Sequence, residues 1–122
     1  MDLNLELPQN HFFIRSIGED GIRVAESYYK APLIVSAKMI EPDWSVESFE
    51  SLNPDNLQII FDMQPDVVLI GCGERQMFLP PATQMLFFER QIGVEVMITE
   101  AACYTFNVLV TEGRPVVAAL FP

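Results

Sequence analysis

Asp66-Val67-Val68-Leu69-Ile70-Gly71-Cys72-Gly73 is an apolar run that follows Pro65 and ends on glycine. A strand with one face in water alternates apolar and polar side chains, and this one does not alternate. Four successive branched aliphatic residues mark a central strand covered on both faces. Such a strand needs helices above and below it, and the sequence on either side supplies them.

Downstream, Pro80-Pro81 opens a helix in which Met85, Phe88 and Ile92 recur at spacings of three and four, with Gly93 to close it. Val94-Glu95-Val96-Met97-Ile98 reads as a strand. Thr99 stands where a residue would cap a second helix, whose inward stripe is Ala102, Cys103, Phe106, Leu109 and Val110. Gly113 stops that helix, and Val116-Val117-Ala118-Ala119-Leu120 is a last buried strand. The order strand, helix, strand, helix, strand predicts βαβ crossovers of right-handed sense.

Upstream, Asn53-Pro54-Asp55 combines an N-cap, a proline at the first helical position and an acid in the first turn. Leu57, Ile60 and Phe61 share one face of the helix that follows, and Pro65 ends the segment. Ser45 is expected to cap a short turn through Phe49. Pro32 to Ser36 suits a buried strand, and Met39 to Trp44 an extended piece broken by Pro42. Before these, Phe12, Ile14 and Ile17 alternate with polar neighbours, Gly18-Glu19-Asp20-Gly21 turns, and Ile22 and Val24 resume the period of two. This opening hairpin is expected to make the sheet mixed. Residues 1–122 are expected to form one α/β domain, the usual size for a single unit.

Half of the chain is hydrophobic, with nine Phe and six Met, so a core is available without disulfides or metal. The formal charge is −10, from 17 acidic and 7 basic residues. Nucleic-acid affinity depends on Lys and Arg displacing counterions, so this balance argues against DNA or RNA as partner. Between Glu41 and Asp66 lie seven carboxylates and no Lys or Arg. That segment is either a solvated face or a docking surface for a basic partner. No stretch approaches the roughly 18 apolar residues of a membrane span. Met1-Asp2-Leu3-Asn4-Leu5-Glu6 carries acid where a targeting peptide carries base. With two cysteines and no Cys-rich framework, a reducing cytoplasm is the expected compartment.

The run Gly93-Val94-Glu95-Val96-Met97, then Thr99, Ala101-Ala102, Thr105 to Leu109, Glu112-Gly113-Arg114 and Val117 to Pro122, resembles a domain-of-unknown-function family of small bacterial proteins. Its eukaryotic members include a mitochondrial respiratory complex I assembly factor and an adipogenesis-associated protein. The resemblance implies a three-layer α/β domain with a central mixed sheet of about five strands: an N-terminal β-hairpin followed by βαβαβ. It implies no enzyme mechanism, and it supplies a precedent for acting through protein contacts.

The candidate sites follow from the same strand. Gly71, Cys72 and Gly73 lie just after it, where open α/β sheets bind ligands. Glycine amides and the Arg75 guanidinium suit a small anionic ligand. The alternative is a tight structural turn, since the lysine of a phosphate loop and the third glycine of a dinucleotide motif are both missing. Thr105 and Asn107 lie off the apolar stripe and are candidates to face that loop. Cys72 and Cys103 are too far apart for Cys-x-x-Cys chemistry, and packing is the simpler role for each. His11 is the single histidine, which argues against a Ser-His-Asp triad or a multi-histidine metal site. No catalytic set, metal-ligand set or cofactor motif is read. The helix carrying Met85, Phe87 and Phe88 is apolar on more than one face, a candidate surface for a protein partner or self-association. A non-enzymatic interaction or assembly-type protein is the leading expectation, and a small-molecule or anion-binding domain using the Gly71 loop the alternative.

Overall fold

The computed structural model describes residues 11–122, and the acidic N-terminal hexapeptide lies outside them. In chain order the elements are β1 (Ile14–Gly18), β2 (Gly21–Val24), β3 (Ser27–Tyr29), β4 (Leu33–Ser36), β5 (Ile40–Glu41), α1 (Pro54–Asp62), β6 (Val67–Gly71), α2 (Pro81–Glu89), β7 (Gly93–Met97), α3 (Thr99–Thr111) and β8 (Val116–Leu120). One 3-10 turn, Phe49–Ser51, precedes α1.

Five strands form the central sheet in the order β5-β4-β8-β6-β7. β6 is paired in parallel with β7 on one side and β8 on the other, and all five of its residues are buried. The sheet divides two apolar clusters by strand parity. Val68 and Ile70 face α1 and α2, meeting Leu57, Ile60, Phe61 and Phe87. Val67 and Leu69 face α3 and the hairpin, meeting Cys103, Phe106, Phe13 and Val24. This gives the three-layer mixed α/β arrangement, with the unalternating run at its centre.

The hairpin departs from expectation. β1, β2 and a third short strand, β3, make a separate three-stranded antiparallel sheet laid over α3 rather than an extension of the central sheet. The central sheet is mixed for another reason: β4 runs antiparallel to β8, with Leu33 opposite Leu120 and Val35 opposite Ala118.

Helix starts and stops were legible to different degrees. Asn53 caps α1 as its sequence indicates, and the cap is reciprocal: the Asn56 amide N–H donates to Asn53 Oδ1 at 2.9 Å, and the Asn53 N–H to Asn56 Oδ1 at 2.9 Å. Ser45 caps nothing: the chain turns tightly at Ser45, with Val46 N–H donating to Trp44 C=O, and the 3-10 turn begins only after Ser48. α2 is closed two residues ahead of Gly93, by Gln91 in the left-handed conformation (φ 58°), with Ile92 N–H donating to Phe87 C=O. Among the described residues no helix is long and apolar enough to cross a membrane.

Candidate functional site

The loop leaving β6 is built around Thr99. As the first residue of α3, Thr99 does not cap its own helix. Its hydroxyl donates to Phe121 C=O at 2.6 Å and accepts from Gly73 N–H at 2.8 Å, while its backbone N–H donates to Gly73 C=O at 2.9 Å. One side chain thereby ties together the ends of β6 and β8 and the start of α3. The close approach explains the first glycine: a Cβ at Gly71 would lie 2.9 Å from Thr99 Cα. Gly73 is required twice over, by a φ of +104° and by Pro122 C=O, 2.8 Å from where its Cβ would be.

This geometry leaves little of an anion cradle. Cys72 N–H donates to Met97 C=O at 2.8 Å and Gly73 N–H is held by Thr99, so both amides of the loop are occupied. Cys72 is buried, its thiol donating to Arg75 C=O at 3.2 Å and accepting from Met77 N–H at 3.4 Å. Arg75 itself is exposed and stands outside the crevice described below. Thr105 is half-buried two turns along α3. Asn107 is fully buried, and its carboxamide bonds both backbone groups of Ile14, so it faces β1 rather than the Gly71 loop. Of the residues singled out around this strand end, the structure gathers Gly71, Cys72 and Gly73, ties Arg75 to Cys72 through its backbone carbonyl, and turns Asn107 toward β1.

A concavity does lie beside Gly73. β6 connects through α2 to β7 on one side, and β7 connects through α3 to β8 on the other. The helices therefore sit on opposite faces, and the connections leaving the adjacent carboxyl ends of β6 and β7 diverge, a topological switch point where open α/β sheets leave a crevice. The crevice holds about 760 Å³, within the range of small binding sites. Gly73 and Glu74 follow β6, Ile98 and Glu100 follow β7, Phe121 follows β8, and the β1–β2 hairpin roofs it with Ile17, Gly18 and Glu19. Sequence reading missed the contributions of Glu19, Ile98, Glu100 and Phe121. Their signal was positional, since each of the last three stands one to three residues past the end of a parallel strand.

The second candidate surface is the outer face of α2. Phe88 is 77% exposed and Met85 50% exposed. With Pro81, Gln84, Ile92 and Val94 they line a shallow apolar groove of about 430 Å³ beside β7, the edge strand of the sheet. Phe87 does not belong with them. It is fully buried and packs edge-on to Phe61, ring centroids 5.2 Å apart at 77°. The stripe Met85, Phe88 thus points outward, and the helix anchors itself through Phe87 instead.

Cys103 is fully buried on α3, and burial, aided by the nearby Glu100 carboxylate, pushes its thiol up to about 12. A thiol held protonated in this way is a packing element, not a nucleophile.

Relatives place this fold in context. Over 85 residues, 65% of this chain, the sequence is 41% identical to NADH dehydrogenase [ubiquinone] 1 alpha subcomplex assembly factor 3 of Drosophila melanogaster, of which the match spans 42%. Over 105 residues, 85% of this chain, it is 32% identical to the 13 kDa major membrane protein of Francisella tularensis, spanning 78% of that relative. The chain therefore covers less than half of the Drosophila assembly factor it resembles. A crystal structure of a Bordetella parapertussis protein superimposes with a TM-score of 0.85 at 29% identity, covering 93% of this chain and 98% of that one. The model of the family described as "Protein of unknown function (DUF498/DUF598)" matches residues 14–121, so β1 through Phe121 is a single family match and the chain belongs to that family.

Proposed function

We propose that this chain is a non-enzymatic protein-interaction domain of the assembly-factor type, acting in the cytoplasm on subunits of a respiratory NADH dehydrogenase. The observation that carries this reading is the 41% identity to a complex I assembly factor across 85 residues. The outer face of α2 supports it as the contact surface. Phe88 and Met85 present large apolar side chains beside an unpaired sheet edge, the kind of patch that marks a protein interface. The acidic segment from Glu41 to Asp66 offers a second, charged element for recognition, with six of its seven carboxylates exposed.

The test is genetic and structural together. Deleting the gene in its host should reduce the assembled NADH dehydrogenase resolved on native gels. The wild-type chain should restore it, and a Phe88→Asp/Met85→Asp variant of unchanged thermal stability should not. Unchanged NADH dehydrogenase in the deletion strain would overturn the reading. A second copy of the chain is the competing occupant of the α2 face, and concentration-dependent sedimentation abolished by Phe88→Asp would assign the face to it.

A further inference from the structure

We propose that the crevice at the ends of β6, β7 and β8 receives an extended segment of a partner protein, which seats an apolar side chain inside and sets a Lys or Arg at the rim. This site is distinct from the α2 groove and shares no lining residue with it.

The interior is apolar. Ile17, Ile22, Ile98 and Phe121 line it, and Ile98 remains 37% exposed, an apolar side chain that the other described residues do not cover. The rim is acidic. Glu19, Glu74 and Glu100 are all exposed around it, against the single cation Lys30. The one ion pair among the described residues joins Arg23 to Glu26, so none of the three rim carboxylates has a salt-bridge partner among those residues. In a chain of net charge −10 these groups complement a basic residue and repel an anion.

The floor decides between a small polar ligand and a peptide. Small-molecule sites orient their ligands with a few convergent polar groups. Here the Thr99 hydroxyl, the Gly73 N–H and C=O and the Phe121 C=O are already bonded to one another. With these four groups engaged, apolar contact within and charge at the mouth carry the recognition proposed here. That combination fits a chain segment with a large apolar residue next to a lysine or arginine, whose aliphatic stem also packs while its charge stays at the surface.

A phage-displayed library of random 12-residue peptides, panned against the whole chain, tests this directly. The enriched sequences should pair a basic residue with a large apolar one, and the synthesised consensus peptide should bind in fluorescence anisotropy. Gly18 lines the crevice, and a Cβ built there meets nothing within 4 Å, so Gly18→Trp should plug the site while leaving the melting temperature intact. Binding should fall at least about tenfold in Gly18→Trp, consistent with about 1.4 kcal/mol or more. It should weaken and lose salt dependence in Glu74→Gln/Glu100→Gln, and be unchanged in Phe88→Ser. No enrichment, a consensus without a basic residue, or binding indifferent to Gly18→Trp would each overturn the proposal. Loss in Phe88→Ser alone would move the peptide to the α2 groove and overturn it as well. None of these outcomes bears on the NADH dehydrogenase phenotype, so the two readings fail separately.

Discussion

Asn107 and Ile14, 93 residues apart in sequence, are joined by two buried hydrogen bonds. Ile14 N–H donates to Asn107 Oδ1 at 2.9 Å, and Asn107 Nδ2 donates to Ile14 C=O at 2.8 Å. A side chain thus pairs with a strand as another strand would, fixing β1 against α3 where the small sheet meets the main body. Each backbone group left buried and unpaired costs about 1–3 kcal/mol. Asn107→Ala is therefore expected to lower the unfolding free energy by roughly 3 kcal/mol in urea titrations. Amide exchange at Ile14 should accelerate by a larger factor than exchange at Leu69.

Two glycines separate packing from opening. Gly71→Ala forces a Cβ to within 2.9 Å of Thr99 Cα and 3.1 Å of Leu120 Cδ2, at a buried strand end. Overpacking of this kind typically costs about 1–3 kcal/mol. Gly18→Ala meets no atom within 4 Å and should be neutral, or stabilising by up to about 1 kcal/mol through the unfolded chain. Parallel thermal melts of the two variants check the contrast.

Thr99→Val removes a hydroxyl that serves two backbone groups, Gly73 N–H and Phe121 C=O, without changing side-chain volume much. The expected loss is about 2 kcal/mol, and Thr99→Ser should recover most of it. A capping role would predict instead that Asp or Asn rescues, because those residues cap well. Denaturant midpoints of Thr99→Val, Thr99→Ser and Thr99→Asp distinguish the two.

These residues also show where sequence is informative. The apolar run from Val67 to Ile70 announced its own burial, and strand parity then assigned each residue to a face. The cap at Asn53 was legible because its partner, Asn56, is local. Thr99 and Asn107 were misplaced because their partners are distant: Phe121 lies 22 residues from Thr99, and Ile14 93 residues from Asn107. Periodicity places a side chain on a face of its own helix but does not say what stands opposite. Phe87 and Phe88 show the same limit. In a helix apolar on more than one face, spacing did not separate Phe87 from Phe88, and contact with Phe61 selected Phe87 for the core.

That pair yields its own prediction. Phe87→Ala empties a fully buried site against Phe61 and should cost about 3–5 kcal/mol. Phe88→Ala, at 77% exposure, should move the melting temperature little while altering any association through α2. Circular dichroism melts report the first effect, and sedimentation or partner capture the second.

Cys103 sets an alkaline limit on stability. Burial, with Glu100 nearby, raises its thiol from 9.0 to about 12 in the folded protein. In the unfolded chain the thiol ionises near its ordinary value, so above that pH the unfolded state gains a charge the native state resists. Stability contributed by the protonated thiol is complete below about pH 9 and is lost as pH rises toward about 12. The slope is on the order of 1 kcal/mol per pH unit across that window. Urea midpoints at pH 8, 9, 10 and 11 should fall more steeply for the wild type than for Cys103→Ala, since the two differ only in this thiol. Mass spectrometry after brief thiol labelling at pH 8 should find Cys103 unmodified in the native protein and modified in urea. Equal slopes, or native-state labelling, would show that the thiol is not held protonated by the core.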